Sequence, residues 1–141
     1  MNLLKKFSLL AFALLIAFSF TSCGSDDDGP TTEPTLASTV AGNWSAVSLT
    51  RDGTDAGVSL GGFTLSLSVD GDNQPTTYAI TYGAVVNFAN NTGSWSITTS
   101  ALTLNGTPIA LQGTPTENSM VLTFTDPNDK TEPVYVLTLS K

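Results

Sequence analysis

The sequence predicts an all-β domain, an antiparallel up-and-down barrel of about eight strands, placed behind a secretory leader. Three observations carry that expectation. Apolar and polar residues alternate with a period of two in short runs from Val40 onward. Clusters of Gly, Asn and Asp break those runs about every ten positions. Helix-forming residues are scarce beyond the leader. Short sequential hairpins remove their open edges by closing on themselves, which favours a barrel; a β-sandwich is the competing architecture.

The first element is the leader, residues 1–22. Lys5 and Lys6 form a positive start, and Phe7 to Phe20 is apolar apart from two serines. At about 14 residues this run falls short of the about 20 that a membrane span needs, and it has the length of a signal-peptide core. The segment Phe20-Thr21-Ser22-Cys23 resembles the lipobox of bacterial lipoproteins, in which small residues precede a cysteine that is acylated and then exposed by cleavage. That resemblance implies a covalent lipid on Cys23 and attachment to a membrane without a spanning helix. Ser25, Asp26, Asp27 and Asp28 follow directly. This acidic run resembles the export signal of lipoproteins in Bacteroidota-type bacteria and implies the outer face of the outer membrane, with the periplasmic face as the alternative. Residues 23–39 read as a tether, acidic at first and then Pro/Thr-rich and extended.

The folded domain is expected over residues 40–141. Its strands fall at roughly 43–51, 61–70, 76–82, 85–88 continuing into 94–99, 101–105, 107–112, 118–125 and 133–140. Phe63, Leu65, Leu67 and Val69 alternate with Thr64, Ser66 and Ser68, and Met120, Leu122 and Phe124 with Thr123 and Thr125. The run 85–88 is the element whose place is least defined, because it can also extend the strand before it. Turns are expected at Arg51-Asp52-Gly53, Asp70 to Asn73, Asn90 to Gly93, Asn105-Gly106 and Asp126 to Asp129, where Asn-Gly and Asp-Gly tolerate positive φ.

Two motifs carry a further resemblance. Gly42-Asn43-Trp44, at the start of the first strand, looks like the Gly-x-Trp opening of lipocalins. Gly93-Ser94-Trp95, followed by Leu102-Thr103-Leu104, resembles a mid-chain signature of lipocalin-like domains in Bacteroidota lipoproteins. The resemblance spans residues 40–141 and marks Gly42, Trp44, Gly93 and Trp95 as the fold signature. It implies that Trp44 plugs one end of the barrel and that a late basic residue stacks on it, a place only Lys141 can take.

Composition narrows the function. The chain has 12 acidic and 5 basic residues; with Lys5 and Lys6 in the leader, 12 face 3 in the remainder, a net of −9. Such a surface repels phosphate backbones, so nucleic acid is not an expected partner. Histidine is absent and Cys23 is the sole cysteine, which removes the commonest general base and the commonest metal ligands. The acids lie in the tether and turns, away from apolar faces that would raise a catalytic pKa, so no enzyme activity, metal or cofactor is expected beyond the lipid. Asp70-Gly71-Asp72-Asn73 gathers oxygen atoms but lacks the calcium-loop spacing and reads as a solvated hairpin turn. Most aromatics fall on core positions; Tyr78, Tyr82, Phe88 and Phe124 are the candidates for contact with a ligand.

The functional expectation is a membrane-anchored, non-catalytic binding protein holding a small apolar or amphipathic molecule in a pocket of the barrel. The alternatives are a protein-interaction module of an envelope assembly and a carbohydrate-binding module. The last requires Tyr78, Tyr82 and Trp95 to be exposed.

Overall fold

The computed structural model describes residues 34–141. The leader, Cys23 and the acidic run Ser25, Asp26, Asp27 and Asp28 lie outside the described residues. A short helix, α1 (Leu36–Val40), is followed by β1 (Gly42–Arg51), β2 (Thr54–Asp55), β3 (Thr64–Val69), β4 (Pro75–Thr81) and β5 (Thr92–Ile97). The chain continues through β6 (Ala101–Leu104), β7 (Thr107–Leu111), β8 (Ser119–Thr125) and β9 (Val134–Ser140). Every strand pairing is antiparallel, in the order β2-β1-β3-β4-β5-β6-β7-β8-β9. Pairing of β1 with β9 closes the ring, so eight strands form the barrel and β2 is an added strand on β1. Closure excludes the sandwich.

Closure needs β1 to curve and to keep its apolar residues inside. Trp44 and Leu49 are an odd number of positions apart, so regular pleating would send them to opposite faces. One extra residue resolves the conflict. Opposite β9, Ala46 pairs with Leu139 and Ser48 with Thr138, leaving Val47 as a bulge. Val47 takes the solvent side at 58% exposure, and both Trp44 and Leu49 turn inward.

The barrel has two ends. At one lie α1, the β3–β4 turn, the β5–β6 turn, the β7–β8 connection and Lys141. At the other, the mouth, lie the β1–β3 and β4–β5 connections, the Asn105-Gly106 turn and the β8–β9 loop. Asn105 (φ 49°) and Gly106 (φ 83°) form the expected tight hairpin.

Besides the added strand β2, two features depart from the expected elements. Residues 85–88 are not a strand; β5 starts at Thr92, and 82–91 crosses the mouth as a loop. The Tyr82 hydroxyl fixes it, donating to Ala89 O (2.7 Å) and accepting from Ala89 N–H (2.9 Å). Val85 and Phe88 are buried under it, so the apolar run covers the core rather than joining the wall. The other departure is α1, within the stretch expected to be an extended tether. Thr35 caps it, accepting from Ser38 N–H at 3.1 Å, while Ala37 and Val40 are buried.

Candidate functional site

The two signature tryptophans are structural. Trp44 is fully buried, and its indole N–H donates to Val40 O at 2.8 Å, which ties α1 to the barrel. Lys141 lies over the same ring, its Nζ 4.8 Å from the centroid and 3.0 Å from Thr39 O. Gly42 has φ +125°, a conformation that strains a residue with a side chain, and a Cβ there would press on Lys141 Cε at 3.3 Å. The late basic residue implied by the Gly-x-Trp resemblance is therefore in place. Trp95 on β5 donates its indole N–H past β4 to Ser68 O on β3 at 2.8 Å. Gly93 stands against Asn105, whose Cβ would lie 2.9 Å from an added methyl.

The interior is filled. Leu65, Leu102, Leu104, Met120, Leu122, Leu137 and Leu139 are essentially without solvent exposure and occupy the centre with Trp44. Above them the aromatics pack in a chain, Tyr82 on Phe88 edge to face, Phe88 on Phe124 tilted and Phe124 on Tyr135 stacked. Tyr82 and Phe88 have ring centres 5.2 Å apart, Phe88 and Phe124 4.3 Å, and Phe124 and Tyr135 5.6 Å. An eight-stranded barrel is narrow enough for side chains to fill. The pocket expected inside the barrel is not there among the described residues.

The four candidate ligand residues divide. Tyr78 and Tyr82 are 2% and 6% exposed, and both hydroxyls bond main chain of the 82–91 loop: Tyr78 to Asn90 O, Tyr82 to Ala89. Burial pushes both phenols above their ordinary pKa; for Tyr82, bonds to the Ala89 and Phe88 backbone oppose this in part. They fasten the loop. Phe88 and Phe124, by contrast, floor a groove in the outer wall of the mouth. Trp95 is buried as well, so Tyr78, Tyr82 and Trp95 offer no exposed stacking surface for a sugar.

The groove has a volume of about 470 Å³ and runs between Thr107–Ala110 of β7 and Thr123–Thr125 of β8, with Pro127 and Val134 at its rim. Its cause is readable in the backbone. Leu111 gives its N–H to Ser100 O on the β6 side, and Gln112 gives its N–H to Val121 O on the β8 side. Backbone groups alternate sides along a strand, so Ala110 and Pro108 face β8. Ala110 pairs with Thr123. The next rung would set Pro108 opposite Thr125, and proline has no N–H to donate. Registered pairing ends at Ala110, and the mouth-side halves of β7 and β8 border a gap floored by Ile109, Phe88 and Phe124. Sequence reasoning missed this groove. The signal was present: a proline inside an otherwise regular strand pattern marks an edge.

Charge surrounds one side of the groove. The β8–β9 loop carries Asp126, Asp129, Lys130 and Glu132, and the end of β1 with its turn carries Arg51, Asp52 and Asp55. Arg51 Nη2 pairs with Asp129 Oδ2 at 2.8 Å, and Asp52 Oδ1 accepts from Val134 N–H at 2.9 Å. Hydrogen bonds from Thr131 N–H and Oγ1 hold the Asp129 carboxyl below its ordinary pKa, with Arg51 adding to the effect. At the opposite end the Asp70 carboxylate accepts from Asp72 N–H and Gln74 N–H, the bonding of a hairpin turn. Among the described residues no three potential metal ligands come together.

Comparison with protein-family models, with curated proteins and with solved structures finds no match to this chain.

Proposed function

We propose that this chain is a lipoprotein anchored at the bacterial outer membrane through a lipid on Cys23, displayed on the cell surface, with a non-catalytic lipocalin-like barrel. Its binding seat is the groove between β7 and β8, which receives a small apolar or amphipathic molecule. The observation that carries this reading is the groove itself. Its volume of about 470 Å³ falls in the range of about 300–1,000 Å³ typical of ligand sites. The lining is apolar apart from three threonines, and two of the four aromatics singled out in the sequence form its floor. Relative to a lumen-binding barrel, the seat has moved from the centre to the wall.

The anchoring reading rests on the leader and the residues around Cys23. It is tested by metabolic labelling with an alkyne fatty acid in the native host. Label on the wild-type chain and none on Cys23→Ser is the expected result, and protease treatment of intact cells distinguishes surface display from the periplasmic face. The non-catalytic reading rests on the absence of histidine from the chain.

The binding reading is tested by native mass spectrometry of chain purified from its host. Wild type is expected to carry a small apolar adduct that Ala110→Trp, which fills the groove from an exposed position, does not retain. An adduct unchanged by Ala110→Trp would refute the assignment of the groove. The filled interior favours a second reading, a protein-interaction module. Val134, at the groove rim and 44% exposed, would then belong to a contact surface. Cross-linking in cells would capture an envelope protein through residues near the groove, with no small adduct present.

A further inference from the structure

If the groove is a seat for an amphipathic molecule, the charge beside it selects the head group of that molecule. The lining contributes no charge: Phe88, Thr107, Pro108, Ile109, Ala110, Thr123, Phe124, Thr125, Pro127 and Val134 are all neutral. The other segments at the mouth, the 82–91 loop and the Asn105-Gly106 turn, contain no ionisable group except the buried Tyr82. Among the described residues, charge at the mouth comes from two segments. The β8–β9 loop, which leaves the groove at Pro127 and returns to it at Val134, holds three carboxylates against the single ammonium of Lys130. The turn after β1 adds two carboxylates against Arg51, and Arg51 is already engaged by Asp129. Asp126 is the nearest of these in the chain, standing between the lining residues Thr125 and Pro127. One of its oxygens accepts from Asn128 N–H at 2.8 Å. A carboxylate has room for further donors.

From this arrangement we infer that the groove takes a cationic amphiphile, with its apolar chain on Phe88, Ile109 and Phe124 and its ammonium group toward Asp126 and the β8–β9 loop. An anionic amphiphile such as a fatty-acid carboxylate meets the same wall with the opposite sign and is disfavoured. The inference rests on the groove being the binding seat, and the experiment separates the two.

Dodecylammonium, dodecanol and dodecanoate share one chain and differ in the charge of the head. Each is titrated by calorimetry, below its micelle concentration, into the full mature chain carrying Cys23→Ser, so that no attached acyl chain competes. The ammonium is expected to bind about fivefold more tightly than the alcohol, the scale of an exposed ion pair. The carboxylate should bind more weakly than either. The preference should shrink as salt is raised toward 1 M, where screening acts within about 3 Å. In Asp126→Asn/Glu132→Gln, which leaves the Arg51–Asp129 pair intact, the ammonium should fall to the affinity of the alcohol while the alcohol stays unchanged. Equal binding of all three probes, or tighter binding of the carboxylate, overturns the charge selection and leaves the groove assignment standing. Binding of none of them overturns the groove assignment and the inference with it.

Discussion

Lys141 offers the sharpest test of how the end opposite the mouth is closed. Lys141→Met keeps most of the stem that lies over Gly42 and Trp44 and removes only the charge and its donors. Two contacts go: the ammonium 4.8 Å from the Trp44 ring centre and the 3.0 Å bond to Thr39 O. The first contributes about 0.5–1 kcal/mol at a partly exposed site. The second, a charged donor on a carbonyl, contributes about 1.5 kcal/mol. Removing water from the ammonium offsets part of both; that desolvation pushes the Lys141 pKa down, against a smaller opposing pull from Glu117. The net expectation is a loss of about 1–2 kcal/mol. In urea the midpoint should fall with the slope unchanged, and the melting temperature should drop by about 4–8 °C for a domain of this size. Lys130→Met, an exposed lysine with no hydrogen bond or ion pair among the described residues, is the control and should stay within about 0.5 kcal/mol of wild type. A midpoint unmoved by Lys141→Met, or moved equally by Lys130→Met, would refute the reasoning that this residue closes the barrel.

Three further outcomes follow from named contacts. Trp95→Phe removes the indole donor to Ser68 O, which keeps the Thr76 hydroxyl at 3.0 Å, and should lower stability by about 0.5–1.5 kcal/mol in urea unfolding, without altering the far-ultraviolet spectrum. Tyr78 and Tyr82 have folded-state pKa values raised above 10.0, so the stability they contribute is complete below that pH and lost as pH rises through the folded values. Phenolate absorbance from these two should develop together with unfolding above pH 10.0, rather than ahead of it. Asp129 behaves in the opposite sense. Its folded-state pKa lies below 3.8, so its contribution is present above that pH and lost as pH falls through the folded value. Asp129→Asn should therefore flatten the acid limb of a stability–pH curve below pH 3.8, measured by the urea midpoint at each pH.

The barrel was legible in the sequence because its strands are half-buried, and half-burial writes itself as alternation. Phe63, Leu65 and Leu67, or Met120, Leu122 and Phe124, each face inward as their spacing implied. The Asn105-Gly106 hairpin was legible for the same local reason, since the pair fits φ values that few others tolerate. What could not be read depends on partners far away in sequence. Helix α1 is only five residues long, too short to hold itself whatever the preference of its residues. It is held by the indole of Trp44 and by burial of Ala37 and Val40. Val85 to Phe88 looks like a strand because its residues favour one, yet the hydroxyls of Tyr78 and Tyr82 bind the 89–90 backbone and bend the segment over the mouth. As for the candidate site, Phe88 and Phe124 were readable only as candidates for ligand contact on the same footing as Tyr78 and Tyr82. Their separation from Tyr78 and Tyr82 was not, because alternation says which residues point inward and nothing about which layer of the barrel they reach.

The closing contact between Lys141 and Thr39 has one more implication. It brings the two ends of the described chain to the same pole of the barrel, since α1 and the last strand meet there. Such proximity allows circular permutation. A short flexible linker joining residue 141 to residue 34, with new ends cut at the Asn105-Gly106 turn, would preserve every rung of the wall except that hairpin connection. The opposite pole, where the mouth-side halves of β7 and β8 border the groove, carries neither end of the described chain.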